Sequence, residues 1–121
     1  SLQKGIEHIY ASNSEIKILL MTPLMGWIYA PDGYDYVRSE DGIVEEKYAT
    51  AMIEVGAYYG IPVCDLYHTA GLNLLTRPWY INDPEPDKSA DPNPNPYYSL
   101  HPTNEGYARM SDIILTSIRG I

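Results

Sequence analysis

The sequence predicts an α/β fold, a parallel sheet flanked by helices in three layers, and three observations point to it. Helical and extended patterns alternate as helix, strand, helix, strand, helix, an order that implies right-handed crossovers between parallel strands. Residues 16–21 are apolar apart from Lys17, the pattern of a strand covered on both faces. The 121 residues are 45% hydrophobic, enough for one packed core and too apolar for wholesale disorder. Two strands cannot supply the neighbours that residues 16–22 need on both edges. Residues 1–121 are therefore expected to be a fragment of one larger α/β domain, completed by a missing segment or by another chain.

The elements follow in order. Ile6, Ile9 and Tyr10 fall at i, i+3 and i+4 and predict a helix over residues 2–12, broken by Asn13-Ser14. Residues 16–22 form the first strand, stopped by Pro23. Residues 23–42 read as a loop, with Pro31-Asp32-Gly33 as its turn. Residues 43–59 predict an amphipathic helix with Val44, Tyr48, Met52, Val55 and Tyr59 on the apolar face. Gly60 suits a left-handed cap and Pro62 cannot continue the helix. Residues 61–67 form the second strand. Residues 76–98 are expected to be a proline-rich acidic loop, since Pro84, Pro86, Pro92, Pro94 and Pro96 alternate with Asp83, Glu85, Asp87 and Asp91. A last helix starts after His101-Pro102, with Tyr107, Met110, Ile114 and Ile118 as its stripe and Gly120 at its end.

Charge and composition exclude several functions. Eight Lys+Arg against sixteen Asp+Glu leave a net charge of -8, and no two basic residues are adjacent. Nucleic acids and anionic membranes require clustered cations, so neither is an expected partner. No apolar run approaches the ~20 residues of a membrane span. A single cysteine, Cys64, cannot form an internal disulfide or a structural zinc site. His8, His68 and His101 share no helical spacing, and the acidic prolines lack a glycine-turned calcium loop, so no metal or cofactor is expected. Cys64 lies in an apolar strand and reads as a buried, inert thiol.

The segment 99–107, Ser-Leu-His-Pro-Thr-Asn-Glu-Gly-Tyr, carries the most chemistry. A histidine just before a helix feels the positive end of the dipole, which favours a neutral ring that can act as a base. The plainer reading makes His101 a partly exposed residue beside a helix cap. A second spacing, Asp65-Leu66-Tyr67-His68, also places a carboxylate near an imidazole. There Asp65 reads as a strand-end residue capping backbone N–H groups, and His68 as a loop residue. Trp27, Tyr29, Trp79 and Tyr97 stand on loops where aromatic faces could stack on sugar rings or cover acyl chains. They could equally cover long loops.

Taken together, Leu100-His101-Pro102 with Gly106-Tyr107, the strand 18–22 ending at Pro23, the following amphipathic helix and the strand Val63-Cys64-Asp65-Leu66-Tyr67 resemble the second half of the SGNH hydrolases, the GDSL-type lipases and esterases. The resemblance spans about residues 6–119 and implies a flavodoxin-like three-layer α/β/α domain. It implies a serine ester hydrolase, acting on carbohydrate acetyl esters or simple acyl esters, with His101 as general base. The family's Gly-Asp-Ser nucleophile block does not occur in this sequence, nor do its glycine and asparagine oxyanion blocks. The chain alone is accordingly expected to be inactive. The family's catalytic Asp stands three residues before the histidine, where this sequence has Tyr98. Three arrangements stay open: another acid (Asp65, Asp87 or Asp91) reaches in, a Ser-His dyad works alone, or the site is degenerate.

The alternative function is a non-catalytic α/β binding or structural module whose aromatic loops contact a glycan. The expected partners are an ester substrate and the missing N-terminal half of the domain, with a homo-oligomer through unpaired sheet edges as a further option. The resemblance points toward a secreted or periplasmic setting, which the lone cysteine permits.

Overall fold

The computed structural model describes residues 1–25, 27–30, 33–36, 45–73, 75–82, 98–99 and 101–121. Helix α1 (Leu2–Ser12) starts at Ser1, whose side chain accepts from the Lys4 N–H, and ends at an extended Asn13. Strand β1 (Leu20–Met21) follows. Strands β2 (Trp27–Ala30) and β3 (Gly33–Tyr36) form an antiparallel pair with Ala30 opposite Gly33. This strand pair lies inside the loop expected over residues 23–42, of which residues 37–42 lie outside the described residues. Two aromatic-rich runs separated by two residues are a hairpin pattern, and Pro31-Asp32 of the expected turn lie outside the described residues.

Helix α2 (Glu45–Tyr59) carries Glu45 and Glu46 in its first turn, where the dipole favours anions. Residues 43 and 44 of the expected helix lie outside the described residues. The buried face is centred on Ala49 and Gly56, while Tyr48 of the expected stripe is 45% exposed. Close approach explains the shift. A Cβ on Gly56 would overlap the Val63 side chain and stand 2.9 Å from the Ile61 carbonyl. Small residues thus let α2 lie directly on the sheet. At its end Gly60 has φ +65°, with Ile61 N–H bonding Gly56 O at 2.8 Å and Gly60 N–H bonding Ala57 O at 3.3 Å, the paired bonds of a Schellman cap.

Strand β4 (Val63–Cys64) pairs with β1 in parallel, Leu20 opposite Val63 and Met21 opposite Cys64. The ladder begins with Leu20 N–H to Pro62 O and ends with Thr22 N–H to Cys64 O, both 3.1 Å. The strands are shorter than the expected 16–22 and 61–67. In this register the carbonyl of Ile18 would need a donor at position 62, and proline has none. At the other end the chain turns at Asp65 into helix α3 (Leu66–Thr69).

Helix α4 (Arg77–Tyr80) and strand β5 (Ile81–Asn82) come next, so the expected loop 76–98 opens with regular structure. Its acidic, proline-rich part, including Asp87 and Asp91, lies outside the described residues. Strand β6 (Tyr98–Ser99) pairs with β2, and β7 (His101–Pro102) pairs with β5. Helix α5 (Asn104–Arg119) closes the chain and stops at Gly120.

Two apolar clusters lie on opposite faces of the parallel pair. Ile6, Leu20 and Ile61 pack with Tyr10, Val55, Tyr59 and Val63, joining β1 and β4 to α1 and α2. Cys64, Leu66, Ala70 and Leu72 pack with Leu19, Met110, Ile113 and Ile114, joining the other face to α5. Each fully buried Leu or Ile is worth about 2 kcal/mol. The sequence-predicted parallel sheet with flanking helices is therefore present. The α5 stripe is shifted from expectation, with Tyr107 52% and Ile118 48% exposed. Tyr59 also ties α2 to α1, its hydroxyl donating to Glu7 Oε1 at 2.6 Å, a bond that pushes the phenol pKa up to about 12.

Candidate functional site

In a parallel sheet every strand ends on the same side, and ligand crevices form outside those carboxyl ends. Thr22 closes β1 there and Asp65 closes β4. Thr22 is 2% exposed; its hydroxyl accepts from Tyr67 N–H at 3.0 Å and donates to Asp65 Oδ1 at 3.3 Å. The same Asp65 oxygen accepts the His68 N–H at 3.2 Å, capping α3. Asp65 thus does the backbone capping that its place at a strand end predicts. His68, read as a loop residue, sits on this short helix because the cap turns the chain immediately.

The spacing Asp-x-x-His then brings the two side chains together. His68 Nδ1 lies 2.9 Å from Asp65 Oδ2 and 3.0 Å from Oδ1. Nε2 faces Glu46 Oε1 of α2 at 3.3 Å. Glu46 in turn accepts from the Thr50 hydroxyl at 2.9 Å, one helical turn on. Burial, the largest single influence on His68, favours the neutral ring, but the hydrogen bonds to Asp65 and Glu46 and their charges together outweigh it and hold the imidazole pKa above its ordinary value. The Thr50 hydroxyl, followed by His68, holds the Glu46 carboxyl below its ordinary range. The protonated ring is thus the form that both carboxylates favour. A base needs a free, neutral Nε2; here that nitrogen is engaged. Sequence reasoning found Asp65 and the spacing to His68 but missed Glu46 and Thr22.

The second region lies at the start of α5. Arg109, early in α5, bonds the Ala70 carbonyl beyond β4, while Lys17, ahead of β1, reaches the carbonyl of Ile121 at 3.4 Å. Helix α5 therefore runs antiparallel to the strands, and its N-terminus lies on the side of their carboxyl ends. Thr103 caps it, its hydroxyl accepting from Gly106 N–H at 3.1 Å. The Thr103 N–H donates to Tyr80 O and its hydroxyl to Trp79 O, both at 2.8 Å. Gly106 is required by proximity: an added Cβ would overlap the Tyr80 carbonyl and stand 2.9 Å from Pro102 Cβ.

The backbone of His101 is placed opposite Asn82, just before this cap. Trp79, on α4, is 66% exposed. Trp27 and Tyr29 stand on strand β2, not on a loop, and Tyr98 lies opposite Ile28 of that strand. Tyr97 lies outside the described residues. Among the described residues no group of three His, Cys, Asp or Glu side chains is arranged to hold a metal ion, and no helix is long and apolar enough to cross a membrane. Cys64 is a free, buried thiol.

The fold and its carboxyl-end corner thus define an α/β protein with a three-layer arrangement. No protein-family model matches the sequence, and no curated protein does. Solved structures do match. One crystal structure superposes with TM-score 0.66 at 25% identity, over 98% of this chain and 50% of that one. Another, described as a possible lipase from Chitinophaga pinensis, superposes with TM-score 0.61 at 25% identity, over 95% of this chain and 57% of that one. The chain spans between half and three-fifths of the length of these two proteins. The second likeness suggests a hydrolase-like fold.

Proposed function

We propose that this chain is the base-bearing part of a serine ester hydrolase of the SGNH type, with His101 as the general base. What carries the reading is the position of His101, directly before the cap of α5 on the carboxyl-end side, in a fold that matches a possible lipase over 95% of this chain. In that role its ring takes the proton of a serine hydroxyl as the oxygen attacks the ester carbonyl. It then returns the proton to the departing alcohol, and repeats the cycle with water to release the acid. The serine and the oxyanion donors would come from a segment outside this chain, pairing on the edge of β1 away from β4, which bonds no strand among the described residues. The substrate side would draw on aromatic faces, which suit a carbohydrate acetyl ester, and Trp79 exposes one.

Asp65 is already committed to His68 and Thr22. This supports a site in which His101 works without Asp65 as its acid, either as a dyad or with an acid from elsewhere. Tyr98, in the position where the resemblance places the Asp, favours a second reading, a degenerate module that binds a glycan without cleaving it. Hydrolysis of p-nitrophenyl acetate separates the two. The polypeptide that also carries a Gly-Asp-Ser segment should turn the ester over, and His101→Ala should lower the rate about 10²–10⁴-fold. Undiminished turnover after that substitution would remove His101 from the mechanism. No turnover by the unsubstituted protein would favour the binding module.

A further inference from the structure

His68 joins two elements that are distant in sequence: Asp65 belongs to the β4–α3 turn, and Glu46 to the first turn of α2. We infer that the Glu46–His68–Asp65 bridge is a proton-operated latch that fastens the N-terminal turn of α2 to the carboxyl-end corner of the sheet. The inference stands independently of the hydrolase reading.

Geometry supports a latch rather than a static brace. Imidazole has only two nitrogens, and each meets a different carboxylate, at 2.9 Å and 3.3 Å. A neutral ring carries one N–H and can donate to only one of them. Deprotonation therefore breaks one link, and the Asp65 link is the shorter and is buttressed by Thr22 and the α3 cap. The Glu46 link is the one that opens. Side-chain exposures of 36% for His68 and 48% for Glu46 leave protons free to exchange.

Among the described residues, the charged groups acting on the ring are Asp65 from its own turn and Glu46 from α2. Lys47, next along α2, acts on Glu46. The Tyr67 ring stands edge-on to the imidazole at 5.0 Å. The Thr22 hydroxyl, from β1, is neutral. Because the His68 pKa is raised above 6.5, its contribution is complete below about that pH and is lost as pH rises through the folded-state value. The Glu46 pKa lies below 4.5, so that side is complete above about pH 4.5 and fails on acidification. The latch is closed between those limits and opens on the alkaline side.

The test is an NMR titration of the His68 ring in the full chain, with amide exchange followed at Ala49 and Thr50 in α2. The His68 pKa should lie above 6.5 and fall in Glu46→Gln, a surface change that leaves the fold intact. Protection of the two amides, corrected for intrinsic exchange, should drop about two- to fivefold as His68 deprotonates. In Glu46→Gln that pH step should vanish. A His68 pKa at or below 6.5, a value unmoved by Glu46→Gln, or an exchange step that persists in the variant would each overturn the latch.

Discussion

The corner at Asp65 and the start of α5 lie on the same side of the sheet and are held by different means. At the corner, side chains do the joining: Thr22, Asp65, His68 and Glu46 form a chain of hydrogen bonds across three elements. At the start of α5, backbone carbonyls do it: Tyr80 and Trp79 receive both donors of Thr103, and β5 pairs with β7. The first network contains a titrating imidazole and two carboxylates. Among the described residues, the bonds of the Thr103 cap are made by peptide groups and a hydroxyl. The first network is therefore expected to respond to pH, while the bonds of the Thr103 cap beside the His101 backbone hold no titrating group.

Substitutions should separate the two networks. Gly106→Ala should cost the most, about 1–3 kcal/mol by urea denaturation, because the new methyl meets the Tyr80 backbone and cannot be relieved by a rotamer change. Asp65→Ala should follow, at about 1–2 kcal/mol, through loss of the α3 cap and of the Thr22 hydroxyl's partner. Its cost should vary with pH. Thr103→Ala should cost about 1 kcal/mol as a lost N-cap, equally at pH 5.5 and 8.5. Glu46→Gln should be the mildest, visible in amide exchange between about pH 4.5 and the His68 titration and silent above it. A pH-dependent Thr103→Ala, or a pH-independent Glu46→Gln, would erase the contrast.

The sequence made much of the frame legible. The cap at Gly60, the turn before Pro62, the parallel pairing and the start of α5 follow from glycine, proline and apolar spacing, which act locally. Strand lengths did not, because the missing donor of Pro62 limits the ladder only once the β1 register is known. The helix faces were misplaced for a related reason: Ala49, Gly56 and Gly106 are buried for their small size, and hydrophobic spacing gives weight to large residues. At the site, the local spacing exposed Asp65 and His68. Glu46 was hidden because it meets His68 from another element, 22 positions away.

The two histidines carry the central claim, that His68 is a charged strut and His101 the base. Ester hydrolysis from pH 5 to 9, compared for His101→Ala and His68→Ala in a polypeptide that supplies the proposed Gly-Asp-Ser segment, tests it most directly. The expected result is loss of about 10²–10⁴-fold in His101→Ala across the range, with most of the rate kept in His68→Ala. Loss in His68→Ala with the rate kept in His101→Ala would contradict it.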